Sequence, residues 1–117
     1  MQVGILGPLE VRGDDGREID IPGARLRALL VRLALDAGRP VAAAVLVDAV
    51  WADQPPAETA NALQTLVSRL RRCLGDGALV TRSAAGYCLA VGPDDVDAHR
   101  FTRLAAAGGG ALRAGDP

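Results

Sequence analysis

Between Pro56 and Gly75 the chain carries a stripe that leaves little choice of conformation. Leu63, Leu66, Val67, Leu70 and Leu74 recur at helical spacing, and at about 100° per residue they fall within one narrow wedge. The pattern predicts a helix over residues 57–74. It is bracketed by Pro55-Pro56, which cannot continue a helix, and by Gly75, a natural stop. An apolar wedge on so long a helix has to be covered. Two earlier stretches supply the cover: residues 24–37, with Leu26, Leu29, Leu30, Leu33 and Ala37 on one stripe, and residues 43–51, with Leu46, Val47 and Val50 inward. The second of these begins Ala42-Ala43-Ala44, without the Ser, Thr or Asp that usually caps a helix N-terminus.

The flanks read as strands. Val3 and Ile5, Leu9 and Val11, and Ile19 and Ile21 alternate with small or polar neighbours, with a turn signal at Gly13-Asp14-Asp15-Gly16. This predicts a small antiparallel sheet of three short strands. After the third helix, residues 78–82 and 87–91 read as a β-hairpin joined by Ser83-Ala84-Ala85-Gly86. The order is β-β-β-α-α-α-β-β, an α+β fold with an N-terminal antiparallel sheet, a three-helix core and a C-terminal hairpin. A further helix is expected over residues 94–104, before Gly108-Gly109-Gly110. The organisation expected is one domain over residues 1–96, followed by the first piece of another over residues 97–117.

Composition narrows the function classes. The chain has 117 residues, half of them apolar, but one Trp, one Tyr and one Phe, so its core is built from Leu, Val, Ile and Ala. No run of about 18 apolar residues is free of charge, which argues against a membrane span, and the N-terminus lacks a signal-peptide layout; a cytoplasmic, nucleoid-associated protein is expected. Cys73, Cys88 and the lone His99 have no zinc-site spacing, so no metal is expected and the thiols read as reduced and partly buried. Acid, base and nucleophile cluster nowhere, and no Gly-rich phosphate loop is present. No enzyme and no cofactor are expected.

The charge is uneven. The net charge is −1, yet residues 59–92 hold Arg69, Arg71, Arg72 and Arg82 against Asp76 alone, a local +3. Opposite the apolar wedge of the third helix lie Asn61, Thr65, Ser68 and Arg72, flanked by Gln64 and Arg71 on one side and Arg69 on the other. No acid occurs between Glu58 and Asp76. A solvated helix face usually mixes signs; an acid-free one repels itself and implies a polyanionic partner. Arg, Asn, Gln and Thr are also the residues whose donors, acceptors and methyl groups match base edges in a DNA major groove, which admits one helix. Thr81 and Arg82 stand just before the hairpin turn, placed to reach a neighbouring minor groove.

Several runs together resemble a known family: Gly23-Ala24-Arg25-Leu26-Arg27-Ala28-Leu29-Leu30, Leu46-Val47-Asp48-Ala49-Val50-Trp51, Pro55-Pro56, the stretch from Asn61 to Gly75 containing V-S-R-L-R-R-x-L-G, then Leu79-Val80-Thr81-Arg82 and Gly86-Tyr87. They are similar to the N-terminal domain of the Streptomyces antibiotic regulatory protein family, of the OmpR/PhoB winged-helix class. The resemblance implies a winged helix-turn-helix with the third helix in the major groove and the hairpin, as a wing, at the minor groove of double-stranded DNA. By position it makes Thr65, Ser68, Arg69 and Arg72 candidate base readers, Asn61, Arg71 and Trp51 phosphate or groove-edge contacts, and Arg82 the wing arginine. It assigns Asp53, Gln54, Pro55 and Pro56 to a loop meeting RNA polymerase or its sigma subunit. It further implies tandem binding to direct repeats, activation of a secondary-metabolite gene cluster, and a helical transcriptional activator domain beginning near residue 97. The wing, Arg82-Ser83-Ala84-Ala85-Gly86, is one residue longer than the family's usual R-x-x-G. Two other readings stay open. One is a protein-interaction module on the same fold, favoured by the near-neutral total charge. The other is the effector half of a phosphorylated response regulator, which the N-terminal position counts against.

Overall fold

A computed structural model describes residues 1–52, 54–75, 77–92 and 95–97. Two short strands, β1 (Gln2–Gly4) and β2 (Glu10–Arg12), precede three helices, α1 (Ala24–Leu35), α2 (Ala43–Trp51) and α3 (Thr59–Leu74). A 3₁₀ turn at Gly77–Leu79 leads into the hairpin of β3 (Val80–Ser83) and β4 (Gly86–Leu89). This is an α+β winged helix. Leu26, Leu29, Leu30 and Leu33 of α1, Leu46 of α2 and Leu63, Leu66, Val67, Leu70 and Leu74 of α3 are all buried, and they form one core with Val3, Val11, Ile21, Val80, Tyr87, Leu89 and Val96. Among the described residues no charged or polar side chain shares it. Val47 and Val50 only rest partly buried against its edge.

Helix boundaries follow local chemistry. Gly75 ends α3 in the left-handed conformation, φ 74°, and its N–H donates to the carbonyls of Arg71 and Arg72, the usual way a glycine closes a helix. At the other ends, α1, α2 and α3 begin at Gly23, Ala42 and Glu58 with no side-chain hydrogen bond to their first turns. The missing polar cap expected for α2 is thus shared by all three.

The N-terminal sheet departs from expectation. β1 and β2 pair antiparallel with Val3 opposite Val11, but the third strand over Ile19–Ile21 shrinks to one bridge, Arg12 to Glu18, and one bond from the Ile19 N–H to the Val11 carbonyl at 2.8 Å. The cause lies just beyond. The carbonyl of Ile21 accepts from Arg27 Nε at 2.7 Å, and Pro22 has no N–H to extend a ladder. The vacant edge beside β1 is occupied from the far end of the domain. Val96 bridges Val3 in parallel and is fully buried. The Asp97 carboxylate accepts from the backbone N–H groups of Ile5, at 2.7 Å, and Leu6, at 3.1 Å. The helix expected over residues 94–104 lies almost wholly outside the described residues, as do Asp53 and His99.

The wing is shorter than its sequence pattern. Ala78 and Leu79 belong to the 3₁₀ turn, and the ladder runs from Val80 opposite Leu89 to Ser83 opposite Gly86, leaving Ala84-Ala85 as the tip. β4 is also bonded on its other side: the Tyr87 N–H donates to the Val41 carbonyl at 3.0 Å, and the Val41 N–H to the Tyr87 carbonyl at 2.7 Å. That contact brings the α1–α2 connection so close that a Cβ on Gly86 would stand 2.0 Å from the Val41 carbonyl oxygen, at a φ of 135°. Only glycine fits. We expect Gly86→Ala to cost more than about 2–3 kcal/mol, combining a backbone clash with a disfavoured φ, read as a lower urea midpoint. A change under about 0.5 kcal/mol, the size of an ordinary surface substitution, would mean the Val41 segment yields freely.

Candidate nucleic-acid interface

Burial of the leucine stripe turns the other side of α3 outward. Asn61, Gln64, Thr65, Ser68, Arg69 and Arg72 are all exposed, so five of the residues singled out from sequence share one surface with Gln64. Electrostatics distinguishes it. Arg12, Arg17, Arg32 and Arg39 each pair with a carboxylate, on Glu10, Asp15, Asp36 and Asp36 respectively. Among the described residues Arg69 and Arg72 have no such partner. Glu58, just before the helix, accepts from Asn61 Nδ2 through its Oε2 at 2.9 Å. Asn61 therefore meets any ligand with part of its amide already engaged.

On the wing, Thr81 and Arg82 are exposed opposite Cys88 and Tyr87, and the Arg82 guanidinium lies 5.7 Å from the centre of the Tyr87 ring. Tyr87 is buried, as expected for the base of the hairpin, so it gives Arg82 a rigid platform. The longer wing keeps Arg82 in the paired part of the ladder, not in the tip. Arg71 is placed differently from its expected groove-edge role. It is half-buried, and its Nε and Nη2 both donate to the Val80 carbonyl, at 3.0 and 2.8 Å. Its guanidinium ties the last turn of α3 to the first residue of the wing. Nothing in the sequence signals this, because the carbonyl is delivered by the turn after Gly75.

A recess runs along each flank of α3. The wider one, about 760 Å³, lies between α3, the first turn of α1 and the end of α2, and includes Arg25, Trp51, Pro56, Asn61, Thr65 and Arg69. The narrower, about 270 Å³, lies between α3, the uncapped start of α2 and the wing, and includes Ala42, Gln64, Arg82 and Ser83. Trp51 is half-buried, its indole N–H donates to no described residue, and the Arg25 guanidinium sits 6.0 Å from its ring centre. Of the loop assigned to polymerase, Gln54 and Pro55 are exposed and Pro56 is half-buried against the wider recess. Both thiols, Cys73 and Cys88, are free and half-buried, and no group of residues suited to a metal occurs among the described residues.

A three-helix core with an outward third helix, closed by a hairpin that is bonded back to the core, defines the winged-helix class of transcription regulators. Residues 16–89 match the family model described as "Transcriptional regulatory protein, C terminal", and the chain belongs to that family. Its relatives are regulators of the Streptomyces antibiotic regulatory protein type. It is similar to the transcriptional regulator RedD of Streptomyces coelicolor, 36% identical over 100% of this chain and 35% of RedD. It is similar to the regulatory protein AfsR of the same organism, 35% identical over 99% of this chain and 12% of AfsR. Among solved structures it resembles Mycobacterium tuberculosis EmbR in complex with a low-affinity phosphopeptide, with a TM-score of 0.82 and 30% identity over 98% of this chain and 31% of that one. The chain thus spans about a third or less of the length of each of these relatives. No helix among the described residues is long and apolar enough to cross a membrane.

The position of Arg71 gives a test. Replacing it by Ala removes two charge-assisted bonds to the Val80 carbonyl, and we expect a loss of about 1–3 kcal/mol in stability with faster hydrogen exchange at the wing amides. Arg71→Lys should restore little, because an ammonium lacks the planar fork. Unchanged melting and exchange would return Arg71 to a role at the surface.

Proposed function

We propose that this chain is the DNA-binding unit of a transcriptional activator. In this reading α3 enters the major groove of double-stranded DNA and the wing lies at the adjacent minor groove. The observation that carries it is the sorting of the arginines. Arg12, Arg17, Arg32 and Arg39, all outside α3 and the wing, pair with carboxylates, whereas among the described residues Arg69 and Arg72 on α3 and Arg82 on the wing stand exposed without one. An exposed cationic surface of this kind is suited to phosphates and to guanine edges. Thr65, Ser68, Arg69 and Arg72 are the base readers, Asn61, Trp51 and Thr81 backbone contacts, and Arg82 the wing cation. The loop of Asp53, Gln54, Pro55 and Pro56 meets RNA polymerase or its sigma subunit. Two copies bind direct repeats in tandem, the regulated genes form a secondary-metabolite cluster, and residues 97–117 open a helical activator domain. The names of the relatives and the resemblance noted from sequence support this reading.

A preferred duplex selected from a random pool, with a scrambled control, tests it by fluorescence anisotropy. Arg69→Ala should cost about 1–3 kcal/mol on the preferred duplex and narrow its advantage over the control. Equal losses on both would remove Arg69 from the base readers. No binding by the unaltered chain at low salt would move the reading to a protein-interaction module.

A further inference from the structure

We propose that Arg25, on α1, is a DNA-backbone contact that grips the phosphate strand on the side of α3 away from the wing. The proposal rests on the DNA-binding reading of α3 and adds a residue from a different helix. Taking roughly 100° per residue, Gln64 lies about 60° to one side of Asn61 on α3 and Arg69 about 80° to the other. The two residues line different recesses, Gln64 the narrower and Arg69 the wider. α3 is therefore a ridge between two troughs. A helix in a major groove about 12 Å wide has a sugar–phosphate strand on each side, and two troughs are the shape needed to admit both.

Each trough has its own cation from outside α3. On the wing side it is Arg82, held against Tyr87. On the other it is Arg25, held against Trp51. The parallel extends to pairing. Arg27, two residues on, donates to the Ile21 carbonyl, and Arg32 pairs with Asp36. Arg25 alone of the α1 arginines is exposed with no hydrogen-bond or carboxylate partner among the described residues, as are Arg69, Arg72 and Arg82. The one acid lining its trough among the described residues, Glu58, accepts from Asn61. Stacking on an aromatic ring restricts a long side chain while leaving its N–H edge outward, which suits it to an acceptor that arrives from solution. The first turn of α1, with neither a side-chain cap nor an acid, opens beside it and adds partial positive charge of the same sign.

A phosphate contact and a base contact differ in what their loss does. We expect Arg25→Gln to weaken binding about three- to tenfold on selected and random duplexes alike, and to lower the slope of log affinity against log salt by about 0.9, the value for one phosphate. Arg25→Lys should restore most of the slope. Arg17→Gln makes the same charge change outside both troughs and should leave the slope unaltered. Thermal melting separates a folding defect from a binding one. Unchanged affinity and slope for Arg25→Gln, with Arg69→Ala still impaired, would overturn this proposal alone. A loss confined to the selected duplex would also overturn it, by making Arg25 a base reader. Binding left intact by Arg69→Ala and Arg72→Ala, or absent from the unaltered chain, would instead defeat the reading of α3 on which it stands.

Discussion

The burial of one stripe of α3 decides the arrangement of the rest. Leu70, at its middle, is fully excluded from solvent, and Leu63 and Val67 nearly so. Removing a leucine from such a position typically costs about 2–5 kcal/mol, so the helix has little freedom to roll about its axis. That fixed roll is what turns Asn61, Thr65, Ser68, Arg69 and Arg72 outward as a set. Among the described residues the polar face has no ion pairs of its own to hold it in register; its geometry is inherited from the leucines behind it.

The wing is positioned by a different means. Its strands are four residues each, too few for a free hairpin to be stable in water. It is held by the Arg71 guanidinium on Val80, by the backbone pair between Val41 and Tyr87, and by the side chain of Tyr87 in the core. These anchors come from the end of α3 and from the connection before α2. The wing's distance from α3 is thereby set by the same helices that set the roll of α3. The two parts of the proposed interface are thus positioned by the same helices.

Much of this was legible in the sequence, because the core is made by periodicity. The leucine stripes placed α1 and α3 to within two residues at their ends, and placed α2 at Ala43–Trp51 without error. What was not legible depends on partners brought together from a distance. The third strand fails because Pro22 and the Arg27 side chain compete for its edge, and the latter bond runs from a helix. Arg71 and Arg25 look alike in sequence, yet one is committed to a carbonyl and the other lies over an indole ring. Sequence alone leaves Arg25, like Arg27, open as either a phosphate contact or a solvated side chain; its place beside Trp51 is what only the structure supplies. The role of Gly86 had a sequence signal as a turn residue, but its close approach to Val41 had none.

The staple at the end of the described chain has a mechanical consequence. Val96 lies alongside β1 and the Asp97 carboxylate holds the amides of Ile5 and Leu6, so the last described residues are held on the N-terminal sheet. A pull on the polypeptide beyond Asp97 loads those bonds, and the β1–β2 ladder behind them, before it can reach α3 or the wing. The ladder bonds share such a load, whereas a helix drawn out from its end would yield turn by turn. A load applied at that point is borne by the sheet, and the outward face of α3 keeps its shape.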